Sequence, residues 1–211
     1  MRILIAGYGF VGHAFDKAVN MTNEITISDP AKGYLINHND LVQPQAIVIC
    51  VSTPQGSHGG CHMDNVYEVI EQSPDVPILI KSTISLEGWE MLKHVFPNKS
   101  ICFSPEFLRA ETADEDFKNM DYTIIAGDPK DTEFWNNWFK QQVCWVDLEI
   151  YNCPVPEAIT LKYAENSYLA LKVSFFNQLY DFCQVTNQDF ETMRKLLCLD
   201  KRIGNSHSMV T

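Results

Sequence analysis

Through residues 1–150, short apolar runs alternate with amphipathic stretches. Runs at Ile3–Ala6, Glu24–Ser28, Ala46–Val51, Ile78–Lys81, Ser100–Phe103, Thr123–Ala126 and Cys144–Val146 predict β-strands. Several are continuously apolar, the pattern of parallel strands covered on both faces. Between them, Gly12–Asn20, Asn65–Gln72, Leu86–Val95 and Asp131–Gln141 carry helical spacing. Repeated strand–helix–strand units predict an α/β fold, a doubly wound parallel sheet with helices on both faces.

The pattern changes after Tyr151. Cys153-Pro154-Val155-Pro156 breaks the alternation, and neither Gly nor Pro occurs from Glu157 through Gln188. Pro156 suits a first helical turn, so the spacing predicts one helix of about 30 residues. Thr186, with Asp189 three positions on, is read as the cap of a second, short helix whose apolar stripe is Phe190, Met193, Leu196 and Leu197. Two regions are expected: 1–150, a cofactor-binding domain, and 151–211, a long central helix with the start of a helical dimerisation and substrate domain.

Charge narrows the class of partner. Sixteen basic against 27 acidic residues give a net charge of −11, which disfavours nucleic acid or an anionic membrane surface. A small anion is still compatible, because backbone N–H groups at a helix start hold one locally. The longest dense apolar run, Ala46–Val51, falls far short of the ~20 residues that span a bilayer. The opening MRILIAGYGF is interrupted by glycines before a signal-peptide core develops, and seven cysteines are an odd number. Reduced thiols in the cytoplasm are the expectation.

Gly7-Tyr8-Gly9-Phe10-Val11-Gly12 follows the first strand and opens the first helix. A G-x-G-x-x-G string alone is weak; its context here is what dinucleotide binding requires. The first glycine permits the tight turn, the second lets a pyrophosphate approach the backbone, and the third allows close helix–strand packing. Asp29 ends the second strand, 22 positions after Gly7. A carboxylate there accepts hydrogen bonds from the ribose hydroxyls and repels a 2′-phosphate, so NAD is the expected cofactor of a Rossmann-like domain. Gly7, Gly9, Phe10, Val11, Gly12 and Asp29 are its candidate ligands, with Ser52 and Thr53 at the end of the third strand.

Five further segments resemble the UDP-glucose/GDP-mannose dehydrogenase family. They are Cys50-Val51-Ser52-Thr53-Pro54, Lys81-Ser82-Thr83-Ile84, Ser104-Pro105-Glu106-Phe107-Leu108-Arg109, Leu161-Lys162-Tyr163-Ala164-Glu165-Asn166 and Asp200-Lys201-Arg202-Ile203-Gly204-Asn205-Ser206-His207. They occur in the family's order over essentially the whole chain. The resemblance implies an NAD-dependent oxidation of a nucleotide-sugar primary alcohol to a carboxylate. It implies Thr83 beside the nicotinamide, where it helps orient a water, and Lys162 and Asn166 as supports of the transition state. Glu106 is read as a general base. Phe107, Leu108 and Arg202, with Lys162 and Asn166, are implied substrate contacts. The family's second glutamate has no counterpart at Ala110; Glu111 lies one position later. Lys162 and Asn166 are four apart, hence on one helix face, and Ala170, Val173 and Asn177 continue it, so partial burial is expected there.

The resemblance also implies a cysteine nucleophile on a G-F-G-G-x-C segment, which does not occur in residues 1–211, so the chain is expected to be incomplete for catalysis. Cys50, Cys102, Cys183 and Cys198 are read as packing residues. His58, Cys61 and His62 on a glycine loop supply only three ligands, and no metal is expected. Tyr168, Leu171, Phe175, Leu179 and Phe182 predict a homodimer through the long helix. Two other readings stand beside this one: a 3-hydroxyacid dehydrogenase, whose helix also carries K-x-x-x-N, and a non-catalytic protein that binds NAD or dimerises.

Overall fold

A computed structural model describes residues 1–19, 21–34, 43–56, 59–142 and 148–210. The predicted strand Cys144–Val146, Cys144 itself and His58 lie outside them. The described residues form two compact units, Met1–Lys162 and Tyr163–Thr211.

The first unit holds seven strands: β1 (Arg2–Ala6), β2 (Glu24–Ser28), β3 (Ala46–Ile49), β4 (Ile78–Ile80), β5 (Ile101–Phe103), β6 (Tyr122–Ala126) and β7 (Glu149–Cys153). They form one sheet in the order β2-β1-β3-β4-β5-β6-β7. Every neighbouring pair is parallel except β5 with β6, which meet antiparallel at Phe103 and Ala126. The doubly wound parallel sheet expected from the sequence is thus found, with one reversal at that junction.

The helices of this unit are α1 (Phe10–Val19), α2 (Asp64–Gln72), α3 (Leu86–Val95), α4 (Ala113–Lys118), α5 (Pro129–Gln142) and the beginning of α6 (Val155–Thr186). Strand periodicity divides the core in two. Ile47, Ile49, Ile78, Ile80, Ile101 and Phe103 pack under α2, α3 and the first turns of α6, against Val66, Ile70, Trp89, Leu92 and Ala158. Their neighbours Ile3, Ile5, Val48, Leu79, Cys102 and Ile125 point the other way, to Phe15, Phe117, Trp135 and Phe139 on α1, α4 and α5. Successive residues facing opposite layers is what a doubly wound sheet demands of its strands.

In the second unit, α6 runs on to Thr186 and is followed by α7 (Phe190–Leu197). A small core of Phe176, Cys183 and Phe190 joins them. The predicted cap is shifted. Thr186 is the last residue of α6, and Asp189 is itself the N-cap of α7, accepting from the Thr192 N–H at 2.7 Å. Arg194, buried on α7, donates to Glu191, to Asn205 Oδ1 at 2.7 Å and to Ser208 Oγ at 3.1 Å, which ties down the segment after α7. Leu171, Phe175 and Phe182 are exposed.

Candidate active site at the carboxyl edge of the sheet

Open α/β sheets bind ligands beyond strand carboxyl ends, where the strand order reverses. Here β1 lies between β2 and β3, so that point is the turn Gly7–Gly12. Gly7 has φ +89°, and a Cβ on it would meet the backbone of Cys50 and Val51 at 2.6 Å. A Cβ on Gly12 would lie 2.2 Å from the Gly7 carbonyl oxygen. Both positions are closed to any side chain by backbone alone. Gly9 differs: a Cβ there meets nothing within 4 Å. The chain leaves space over Gly9 at the start of α1, where unpaired N–H groups favour an anion. A dinucleotide's pyrophosphate fits that cradle.

Asp29 stands beside it at the end of β2. One carboxylate oxygen accepts the Tyr8 N–H at 2.8 Å, which fixes the side chain at the rim of the turn. A carboxylate has lone pairs to spare for ribose hydroxyls. Lys32 donates to the Tyr8 carbonyl at 2.6 Å, an engagement with the turn that the sequence did not disclose. Tyr8 also donates to Asp16 at 2.6 Å. Burial, with Asp16 next, pushes its phenol well above the usual range.

Beyond β3 and β4, polar side chains tie the strand ends together. Thr53 Oγ1 donates to the Thr83 carbonyl at 2.7 Å, and Cys61 Sγ lies 3.3 Å from the same oxygen. Ser82 Oγ donates to the Val51 carbonyl at 2.6 Å, and Asn65 Nδ2 to the Ser52 carbonyl at 3.0 Å. Ser52, Thr53 and Thr83 are thereby held at one edge with Gly7–Gly12.

Glu106 follows β5, and it is not an open carboxylate. Its side chain is 10% exposed, Oε1 accepts the Phe107 N–H at 3.0 Å, and Oε2 lies 2.9 Å from Lys81 Nζ. The Lys81 side chain is 2% exposed and also reaches Ser104 Oγ at 3.3 Å. Lys162, half-buried on α6, donates a short hydrogen bond to the Glu106 carbonyl, and its ammonium sits 5.0 Å from the Phe107 ring centroid. Leu108 is half-buried beside the α1 layer. The sequence carries one signal for Lys81, a lysine at the end of an otherwise apolar strand run, and that alone assigns it no role.

Asn166 and Arg202 belong to the second unit. Partial burial along the Lys162 face is corrected at Asn166 and Ala170, which are exposed, while Val173 and Asn177 are half-buried. The core of that unit gathers around Phe176 and Cys183, further along α6, and Phe190 of α7. Arg202 is exposed and paired with Asp200 at 2.6 Å. Among the described residues no group of three or more His, Cys, Asp or Glu is placed to hold a metal, and no helix is long and apolar enough to cross a membrane. Burial pushes the thiols of Cys50 and Cys102 up to about 12.

The sheet order, the glycine turn and the acid ending β2 define a Rossmann-type dinucleotide-binding fold. Residues 156–209 match the model of the UDP-glucose/GDP-mannose dehydrogenase family, central domain. The UDP-glucose 6-dehydrogenase of Rickettsia conorii is 30% identical over 188 residues, covering 85% of this chain and 43% of that protein. The chain is related to that family, and spans about two fifths of the length of the curated relatives it matches. Among solved structures, a UDP-glucose dehydrogenase from Pyrobaculum islandicum superposes with a TM-score of 0.80 at 23% identity, over 98% of this chain and 58% of that one. The GDP-mannose dehydrogenase of Pseudomonas aeruginosa gives 0.76 at 20%, over 95% and 57%. A 3-hydroxyisobutyrate dehydrogenase of Mycobacterium tuberculosis shares the fold at 0.70 and 11%, over 93% and 69%. At these identities the structural likenesses speak to fold.

Proposed function

We propose that this chain is the cofactor-binding and central-helix portion of an NAD-dependent nucleotide-sugar 6-dehydrogenase of the UDP-glucose type. The observation that carries the reading is the convergence at one sheet edge of the open face above Gly9, Asp29 at the end of β2, Thr83 after β4 and Lys162 against the Glu106–Phe107 loop. Gly7–Gly12 would cradle the pyrophosphate, Asp29 the adenosine ribose, and Ser52 and Thr53 the nicotinamide side. When bound, NAD supplies the hydride acceptor.

The roles of the chain's own groups follow from their chemistry. Lys162 is a fixed cation for an oxygen that gains negative charge, and Asn166 is its amide partner one turn on. Thr83 orients a water. Glu106 is the carboxylate that accepts a proton, and Phe107 and Leu108 line the sugar nucleotide through backbone groups. Arg202 is the proposed cationic contact of the substrate. The reduced forms of Cys50 and Cys102, with thiols pushed up to about 12, are poor nucleophiles, so neither is assigned the covalent role. The six described cysteines are unpaired, which supports a reducing, cytoplasmic setting. The exposed residues Tyr168, Leu171, Phe175 and Phe182 support a homodimer through α6.

The test is direct. The purified protein is titrated with NAD by calorimetry, then incubated with NAD and UDP-glucose or GDP-mannose, following NADH at 340 nm and the acid product by mass spectrometry. Saturable NAD binding is expected, with weaker or no NADP binding. Absence of any NAD binding would overturn the assignment.

A further inference from the structure

Glu106 is the buried acidic group on which the proposed proton transfer depends, and the structure surrounds it with cations that this role alone does not explain. Its loop is held at two points. Lys162 reaches the main-chain carbonyl from α6, while Lys81 reaches the carboxylate from the end of β4 at 2.9 Å. Lys81 is the more deeply buried of the pair; it is ion-paired with the carboxylate and hydrogen-bonds Ser104, through the carbonyl at 3.5 Å and Oγ at 3.3 Å. A lysine ammonium taken that far from water is strongly unfavourable unless paired. The compensation here is one carboxylate and one serine.

We propose that Lys81 is a positioning residue for Glu106: its ammonium, at 2.9 Å, is the counter-charge of the buried carboxylate and holds it in place beside the end of β4. The inference rests on the proposed role of Glu106 as proton acceptor, yet concerns only the counter-charge and placement of that group. The titratable groups that face the pair are Lys162 from α6 and the Cys50 thiol from the end of β3, the latter sensing both charges. Cys50 is a neutral thiol, and Lys162 bonds the Glu106 carbonyl. Lys81 is the cation paired with the carboxylate itself, at 2.9 Å. Without it, a carboxylate in this site is stranded away from water and takes up a proton. A protonated Glu106 has no capacity to accept another proton from a substrate or water.

Infrared difference spectroscopy on protein labelled with 13C-glutamate reads this without turnover. At pH 7, wild-type protein and Lys81→Arg are expected to show no protonated-carboxyl band that Glu106→Gln removes. Lys81→Met is expected to gain about one protonated carboxyl per chain, lost again in Lys81→Met/Glu106→Gln. A folded Lys81→Met with an ionised Glu106 overturns the proposal. If Lys81→Met fails to fold, refolding of the double variant supports the pairing. Failure of both variants to fold overturns it, since Lys81 would then serve packing alone. Calorimetric NAD affinity is expected to be the same in wild type and Lys81→Met. Loss of NAD binding in wild type would sink the functional reading while leaving the infrared result interpretable.

Discussion

Alanine at each glycine of the nucleotide turn separates ligand approach from chain packing. At Gly12 the added methyl would lie 2.2 Å from the Gly7 carbonyl oxygen, and at Gly7 it would lie 2.6 Å from the Cys50 and Val51 backbone with φ at +89°. Neither obstacle is the far end of a flexible side chain, so the backbone itself must move. Overpacking of this kind costs ~3 kcal/mol or more. For a chain of this size, ~2–4 °C of Tm per kcal/mol translates that into a fall of roughly 6–12 °C. Gly9→Ala behaves otherwise, because its methyl enters open space. The Gly9 carbonyl accepts the first bond of α1, from His13 at 3.0 Å, so Gly9 is the N-cap. Alanine is the weaker cap by ~0.5–1 kcal/mol, offset by ~0.4–1 kcal/mol from a less flexible unfolded chain. Tm should therefore stay within about 2 °C of wild type. The same methyl stands where a pyrophosphate must approach, and NAD affinity should fall roughly tenfold or more, about 1.4 kcal/mol. Thermal melts and calorimetric NAD titration on the three variants decide the matter. If Gly9→Ala melts as low as Gly12→Ala and binds NAD like wild type, the space over Gly9 is not the nucleotide site.

Asp29→Asn should narrow the preference for NAD over NADP, since it removes the charge that repels a 2′-phosphate while keeping an acceptor for the Tyr8 N–H; parallel titrations with both dinucleotides measure this. Alkaline pH should destabilise the first unit. Burial raises the Cys50 and Cys102 thiols from 9.0 to about 12, so between those values the unfolded chain has already released protons that the folded chain retains. Their contribution is fully present below about pH 9 and is lost as pH climbs toward 12, seen as a falling Tm. Cys102→Ala should flatten that slope, and an unchanged slope would contradict the assignment.

The strands that sequence reading placed closely are those buried on both faces, such as β3 with Ala46, Ile47, Val48 and Ile49 fully enclosed. Their apolar runs admit few alternatives. β7 was missed because Glu149-Ile150-Tyr151-Asn152-Cys153 is an edge strand, half-exposed and without a run. α4 was missed because six residues with three acids in the first turn bury only Ala113 and Phe117, too little periodicity to register. The reversal between β5 and β6 left no mark, since strand direction is a property of the connection rather than of the strand. In the site, the glycine turn and Asp29 were legible because local backbone geometry requires those residue types. Lys81 was not, because its partner lies 25 positions away beyond the neighbouring strand β5, and a lone lysine at a strand end is ordinarily solvated.

The turn at Gly7 also bears on how the chain reaches its folded state. It rests against Cys50 and Val51, so the first dozen residues have no finished seat until residue 51 has been synthesised and β3 has docked beside β1. Parallel pairing of this kind closes long loops before it gains contacts and is intrinsically slow. During synthesis, the nucleotide cradle is thus completed from behind, by a strand made more than 40 residues later. Ligand that selects the finished turn will draw the folding equilibrium toward that docked arrangement.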